Sequence, residues 1–235
     1  MRHDQIQPLS EHGALSERVY HAILKLFTQG AMESNSTIRI DTLASALKVS
    51  PTPVREALAR LEATGLVERQ ERRGYRVPPP LGIDQVADLM EARELIEVAC
   101  LSHAVERGGA AFKQAIQTAL QEQRAAAEAY QVADALGQSV RSQQFWAVVE
   151  ADLTFHAVIV EHAGNPFLAL MANALQGQQH RVRQSAEHGI SDALDALREH
   201  QAVVDAILEG DLETAAAKMH AHMTGVRERA LAQVD

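Results

Sequence analysis

The sequence predicts a mostly α protein, an N-terminal winged helix-turn-helix followed by an all-α bundle of about six helices. Three observations carry that prediction. The 235 residues are 46% hydrophobic yet only 4% aromatic, a composition rich in helix formers and poor in strand formers. Apolar positions recur mostly with the helical period. The run VPPPLGI at 77–83 divides the chain, because three consecutive prolines cannot continue a helix and favour a stiff, extended connection.

Charge divides at the same place. The formal net charge is −9, but the segment from Arg39 to Arg76 holds eight Lys and Arg against five Asp and Glu, a local +3 that leaves −12 for the remainder. A basic segment in an acidic chain is a reason to treat the two as separate domains. The resulting division is a tail at 1–14, a winged helix-turn-helix at 15–78, a proline-rich hinge at 79–82 and a helical domain at 83–231. No apolar run approaches the roughly 20 residues a bilayer requires, and MRHDQIQPLSEHG lacks the apolar centre of a signal peptide. Membrane partners are therefore not expected. The single cysteine, Cys100, excludes an intrachain disulfide and fits a reducing cytoplasm. Within VACLSHA it reads as a small buried hydrophobe.

In the first domain, ALSERVYHAILKLFTQG places Leu15, Val19, Ala22, Ile23 and Leu26 on one face of an amphipathic helix. AMESNSTIRI is loop-like, with a short strand at its end. Asp41 is a plausible N-cap for a short helix that turns Leu43 and Leu47 inward. Ser50 can cap a second helix with Pro51 in its first turn, where a missing N–H costs little. Val54, Leu58 and Leu61 form that helix's buried stripe, and Gly65 closes it. Thr52, Arg55, Glu56 and Arg60 are left to face outward. Small polar groups near a helix N-terminus suit phosphates, and an Arg can bond guanine bidentately in the major groove. LVERQERRGYRV reads as two strands around a tip at Arg72, Arg73 and Gly74, a wing that reaches phosphates or the minor groove.

The run SPTPVREALARLEATGLVERQERRGYRV resembles the signature of the GntR family of bacterial transcription regulators, whose recognition helix opens on Ser-x-x-Pro-Val-Arg-Glu-Ala-Leu. The similarity covers about residues 15–78. It implies a bacterial, cytoplasmic protein that binds a palindromic double-stranded operator as a homodimer. It also implies DNA contacts at Ser50, Thr52, Pro53, Arg55 and Arg60, with Arg73 and Gly74 at the wing tip. Arg39, which opens the basic segment, is placed with them. Pro51 departs from the family, where many relatives carry Arg.

Six helices are expected beyond the hinge, at 83–107, 109–132, 138–163, 166–188, 191–209 and 211–231, separated by GG, AGNP, HGISD and EGD. In DLTFHAVIV, Asp152 and His156 are four residues apart and share the apolar face with Phe145, Val149, Ile159 and Val160. His200 is in register with Leu197, Val204 and Ile207, and His222 with Ala215, Met219 and Val226. Three helices thus direct ligand-type groups into an apolar interior. An unpaired buried carboxylate is too costly to stand alone. Either Asp152 is balanced by a protonated His, or all four groups share a metal, and their convergence favours the metal. Imidazole with carboxylate suits Zn, Ni, Fe or Mn. His103, His162, His180 and His188 fall outside this register.

The D-x-x-F-H pattern, a His near the start of the fifth helix and a His near the end of the last resemble the FCD ligand domain of FadR-like GntR regulators. The six-helix count is similar to the shorter, VanR-type branch. Over about residues 83–229, the resemblance implies that Asp152, His156, His200 and His222 hold one divalent transition metal per chain, Zn foremost, and that the effector is a small organic acid. In MEARELIEVAC, Arg93 stands where the family has R-x-x-L/I-E, which makes it a candidate for the effector's carboxylate. The competing reading pairs it with Glu97 at i+4 on the helix surface. Gln178, Arg181 and Arg183 are further effector candidates.

The expected function is a DNA-binding regulator controlled by an acid bound at the metal, and not an enzyme. A metalloenzyme with an appended DNA-binding domain is the rival, but no further carboxylate is placed as a general base. A purely structural metal is the third reading.

Overall fold

Val19, Ile23 and Phe27 recur every fourth residue and line the buried face of the first helix, α1 (Ser10–Thr28). The computed structural model describes residues 10–28, 31–71, 73–133, 138–185 and 193–232. Arg72 and His188 lie outside these residues, and of His180 and Arg183 only the backbone is described. The tail expected at 1–14 is shorter at its described end, because α1 already begins at Ser10.

In the first unit, residues 1–80, α1 is followed by β1 (Thr37–Ile38), α2 (Ile40–Leu47), α3 (Pro51–Ala63), β2 (Glu68–Gln70) and β3 (Gly74–Arg76). The order β1-β3-β2 makes a small antiparallel sheet in which Ile38 pairs with Tyr75 and Arg69 with Tyr75 from the other side. Asp41 is not the N-cap of α2. Arg39 holds that position, in extended conformation, and Asp41 lies in the first turn, where a carboxylate suits the helix dipole instead. Ser50 does occupy the N-cap of α3, with Pro51 at the first helical position. Val54, Ala57, Leu58 and Leu61 are fully buried against Ile23, Phe27 and Leu66. Each large aliphatic side chain in that stripe contributes about 1.5–3 kcal/mol. After Thr64, Gly65 turns the chain at φ 72°, and the Leu66 amide bonds back to the Leu61 carbonyl at 3.1 Å.

The second unit, residues 81–235, is built among its described residues from six helices. They are α4 (Ile83–Arg107), α5 (Gly109–Ala133), α6 (Gln138–His162), α7 (Pro166–Ser185), α8 (Ala193–Glu209) and α9 (Leu212–Leu231). Their starts have local causes. Asn165 Oδ1 accepts from the amides of Phe167 and Leu168 ahead of α7, and Asp211 Oδ1 accepts from Thr214 N ahead of α9. α4 packs on α6, α7 and α9, and α5 on α6 and α8. α8 also packs on α9. Leu101, Phe112, Ile116, Phe155, Ile207 and Met219 are fully buried at the centre. Cys100 is buried there as expected, and burial pushes its thiol up to about 11. Among the described residues no helix is long and apolar enough to cross a membrane.

Candidate functional site

The first unit presents a basic concavity of about 600 Å³ lined by Thr37, Arg39, Ile40, Asp41, Arg55, Arg73 and Gly74. Arg55 projects from the solvent face of α3, opposite Val54 and Leu58, while Arg39 precedes α2 and Arg73 precedes β3. Three guanidiniums from three segments therefore border one surface, and none of them pairs with a described residue. Ser50 and Thr52 are exposed at the N-terminus of α3. Pro51 and Pro53 have no amide N–H, so that end offers a phosphate the Thr52 amide and the two hydroxyls.

Three sequence-derived contacts differ. Pro53 is buried on the inner face of α3 and serves packing. Arg60 turns to α1, with Nη1 2.6 Å from Glu17 Oε2 and its guanidinium 4.0 Å above the Tyr20 ring. Its neighbour Glu56 accepts from the Ser16 hydroxyl. The outward-facing row on α3 thus splits, its last turns holding α1 and its first turns remaining open. Gly74 is at φ 92°, and a Cβ there would stand 2.6 Å from the Ile38 carbonyl oxygen. The absence of a side chain lets β3 lie this close to β1, and Gly74 also borders the basic concavity.

The second unit carries a polar cluster inside the bundle. His156 of α6, His200 of α8 and His222 of α9 are all buried, and one ring nitrogen from each lies within 4.8 Å of the others. His200 Nε2 and His222 Nε2 are 3.0 Å apart. The His200 ring also stacks on Phe155 at 3.9 Å between centroids. Outside the trio, His222 Nδ1 meets Glu199 Oε2 at 2.7 Å, and Glu199 is held by both terminal nitrogens of Arg229 at 2.9 Å. Burial alone would raise the Glu199 carboxyl, but the bonds from His222 and Arg229 outweigh it and hold it at about 2. It is an ionised acceptor, so His222 Nδ1 carries the hydrogen. Burial lowers the pKa of His222 despite that bond, which favours the neutral ring. A neutral ring with hydrogen on Nδ1 has a bare Nε2.

His200 follows the same logic through another partner. Its Nδ1 is 2.8 Å from Gln123 Oε1, and Gln123 Nε2 is 3.3 Å from Asp152 Oδ1. The reverse amide orientation would set oxygen against oxygen at Asp152, so the amide oxygen faces His200 and Nδ1 donates to it. Two Nε2 lone pairs then converge at hydrogen-bond distance.

Asp152 is buried as expected, but its carboxylate is not among the donors that cluster within 4.8 Å. Arg93 is buried, with Nε 3.0 Å from Glu97 Oε1. The i+4 pair is therefore real but interior, contrary to the surface reading. Glu97 Oε2 in turn lies 2.5 Å from His156 Nδ1, without the direction of an N–H···O bond, and neither atom has another hydrogen-bond partner. Burial raises the Glu97 carboxyl, whereas the charges of His156 and Arg93 outweigh burial and bring it below its ordinary value.

A small cavity of about 130 Å³ opens against His156 and Glu97, with Asn173 and Gln179 of α7 on its wall. Gln178 and Arg181, expected at the effector, bond to each other at 2.6 Å and do not line this cavity. One-residue rotation on α7 separates Gln178 from Gln179, a difference finer than the helical pattern resolves. Glu97, Gln123 and Glu199 are the partners that the sequence reading missed as functional groups. Gln123 had a signal, an amide in register with Ile116, Ala119 and Ala127 on a buried face.

Residues 15–77 match the family described as bacterial regulatory proteins, gntR family, and residues 88–225 match the FCD domain. The HTH-type transcriptional regulator BphR of Paraburkholderia xenovorans is 24% identical over 216 residues, covering 92% of this chain and 85% of that protein. LutR of Bacillus subtilis is 26% identical over 208 residues, covering 80% of this chain and 88% of LutR. The solved structure of Escherichia coli McbR/YncC has the same fold, at a TM-score of 0.76 and 18% identity, covering 94% of this chain and 99% of that one. The chain belongs to the GntR family of bacterial regulatory proteins, with an FCD domain after its DNA-binding domain, and is a transcription regulator rather than an enzyme.

Proposed function

We propose that this regulator is controlled by a small carboxylate received at a divalent transition metal in the FCD domain, and that it acts on a palindromic operator as a homodimer. The observation that carries the reading is the pair of inward Nε2 atoms of His200 and His222, 3.0 Å apart with both Nδ1 positions occupied outward. Two Nε2 lone pairs facing each other at that distance repel unless a proton or a metal cation lies between them. His156 brings a third nitrogen, and Asp152 stands beside them on the same face of α6 as His156. Neutral imidazoles with a carboxylate suit Zn, with Ni, Fe or Mn as the other fitting ions.

When bound, the ion supplies a Lewis-acidic position for a carboxylate oxygen. The chain's own residues do the rest. Glu97 and His156 border the small cavity, Arg93 neutralises Glu97 within the interior, and Asn173 and Gln179 offer amide contacts to a ligand there. A coupling of about 1–3 kcal/mol between this site and the operator surface corresponds to a 5- to 150-fold change in DNA affinity. On the DNA side, Arg55 reads bases, while Arg39, Arg73, Ser50 and Thr52 hold the backbone.

The test is metal content of the purified full chain, for wild type and His200→Ala, followed by a thermal-shift series of small carboxylic acids. About one ion per chain is expected, lost in the variant, with an acid raising Tm only in the loaded form. Absence of metal from the wild type after incubation with Zn would reduce the cluster to a proton-sharing histidine pair. Retention of metal with no acid effect on Tm or on operator binding would make the ion structural.

A further inference from the structure

The metal reading requires the histidines to offer the correct ring nitrogens, and an imidazole in water does not favour that state by itself. The geometry points to Glu199 and Gln123 as positioning residues that fix the tautomers of His222 and His200, each accepting a Nδ1 hydrogen so that both Nε2 lone pairs turn inward. This inference rests on the metal reading for its purpose, but not for its geometry.

Each positioning residue is itself held. Arg229 grips Glu199 through two parallel bonds of 2.9 Å, the fork geometry that leaves a carboxylate least freedom to turn. Gly225, one turn before Arg229 on α9, leaves room for that grip. A Cβ at 225 would stand 2.8 Å from Arg229 Nη1 and 3.2 Å from Glu199 Oε1. The smallest residue is therefore placed where the ion pair lies against the helix. Gln123 is held by Asp152, which sets the amide's orientation. Asp152 thus has work as an anchor whether or not it also touches the ion. Gln123 is 1% exposed, so water cannot replace it as the acceptor for His200. The two supports are independent, one charged and one neutral, on different helices, and they impose the same tautomer. His156 differs in that its Nδ1 makes a close ion-pair contact of 2.5 Å with Glu97 Oε2 that is not in line for an N–H···O bond.

The decisive experiment reads the tautomers directly, by long-range ¹⁵N–¹H correlation of the imidazoles in the metal-free full chain, alongside Co²⁺ affinity measured against a competing chelator. In wild type, His200 and His222 should both carry hydrogen on Nδ1. In Glu199→Ala, His222 alone should move to the Nε2–H form, and Co²⁺ should bind about 10- to 100-fold more weakly. Glu199→Gln, which keeps an acceptor oxygen, should preserve the tautomer. Gln123→Met should shift His200 alone. If Glu199→Ala does not fold, Gly225→Ala asks the same question by displacing the ion pair without removing a charge.

An Nε2–H form of His222 in wild type, or an unchanged tautomer in Glu199→Ala, overturns the inference. So does equal Co²⁺ affinity in wild type and Glu199→Ala, which leaves the metal reading standing. The expected tautomers with no Co²⁺ bound by wild type support the positioning roles and overturn the metal reading instead.

Discussion

Replacing Gly74 by Ala separates a structural wing residue from a DNA contact. The new Cβ meets two penalties. At φ 92° an L side chain is strained, by about 1–2 kcal/mol, partly offset by about 0.4–1 kcal/mol of lost unfolded-state entropy. The Cβ would also stand 2.6 Å from the Ile38 oxygen, so β3 must retreat from β1 by several tenths of an ångström. The pairs Thr37–Arg76 and Ile38–Tyr75 are then loosened, at about 1 kcal/mol per hydrogen bond weakened. The sum is about 2–4 kcal/mol, set against roughly 4–10 kcal/mol for a unit of this size.

Gly210→Ala is the control. Gly210 has φ 80° but nothing within 4 Å of the added Cβ, so it should lose only about 0.5–1 kcal/mol. Hydrogen–deuterium exchange of the full chain, read separately in the two units, measures both losses. Operator affinity on duplexes selected in vitro should fall in Gly74→Ala only in step with faster exchange at β1 and β3. Two results would refute the reasoning: equal destabilisation by both substitutions, or loss of DNA binding while wing exchange stays unchanged.

Other outcomes follow from the same geometry. Arg55→Ala should weaken the selected operator by about 1–3 kcal/mol and relax its base preference, whereas Arg60→Ala should lower the thermal stability of the first unit and leave base preference intact; a selection repeated with each variant distinguishes them. Arg39→Ala and Arg73→Ala should weaken all duplexes alike, each reducing the slope of log affinity against log salt by about 1 in binding titrations. Asp211→Ala should lower Tm by uncapping α9. The Thr214 hydroxyl and amide bonds depress the Asp211 pKa in the folded chain, so its stabilisation is present above the unfolded value and disappears as pH falls through the lower folded one. The Tm difference between wild type and Asp211→Ala should therefore close in acid, and a constant difference would mean the charge does not matter.

The helix pattern was legible because the apolar stripes are long and the breaks carry strong local chemistry. Asn165 with Pro166, Asp211 and the triproline each act within a few residues of themselves. The inward histidines were legible for the same reason, since register with Val204 or Met219 is a property of one helix. What escaped was pairwise. Nothing along α3 tells whether Arg60 meets DNA or Glu17, because the answer depends on where α1 packs. Arg93 and Glu97 are spaced as a surface pair would be, and only the packing of α4 among α6, α7 and α9 shows that they are buried.

Glu199 and His200 illustrate the limit most sharply. They are neighbours in sequence, about 100° apart around α8, and a sequence reading naturally assigns them to different surroundings. In the structure they serve the same cluster in crossed fashion. His200 points to the centre and takes its support from Gln123 on α5, while Glu199 leaves the centre to support His222 on α9. The contact between the two Nε2 atoms and the bond from His222 to Glu199 both bridge α8 and α9, on either side of one imidazole. Sliding α9 by a helical turn, about 5.4 Å, would break both together with the Arg229 fork. Under the proposed function, a ligand reaching the cluster would meet helices already fixed in register.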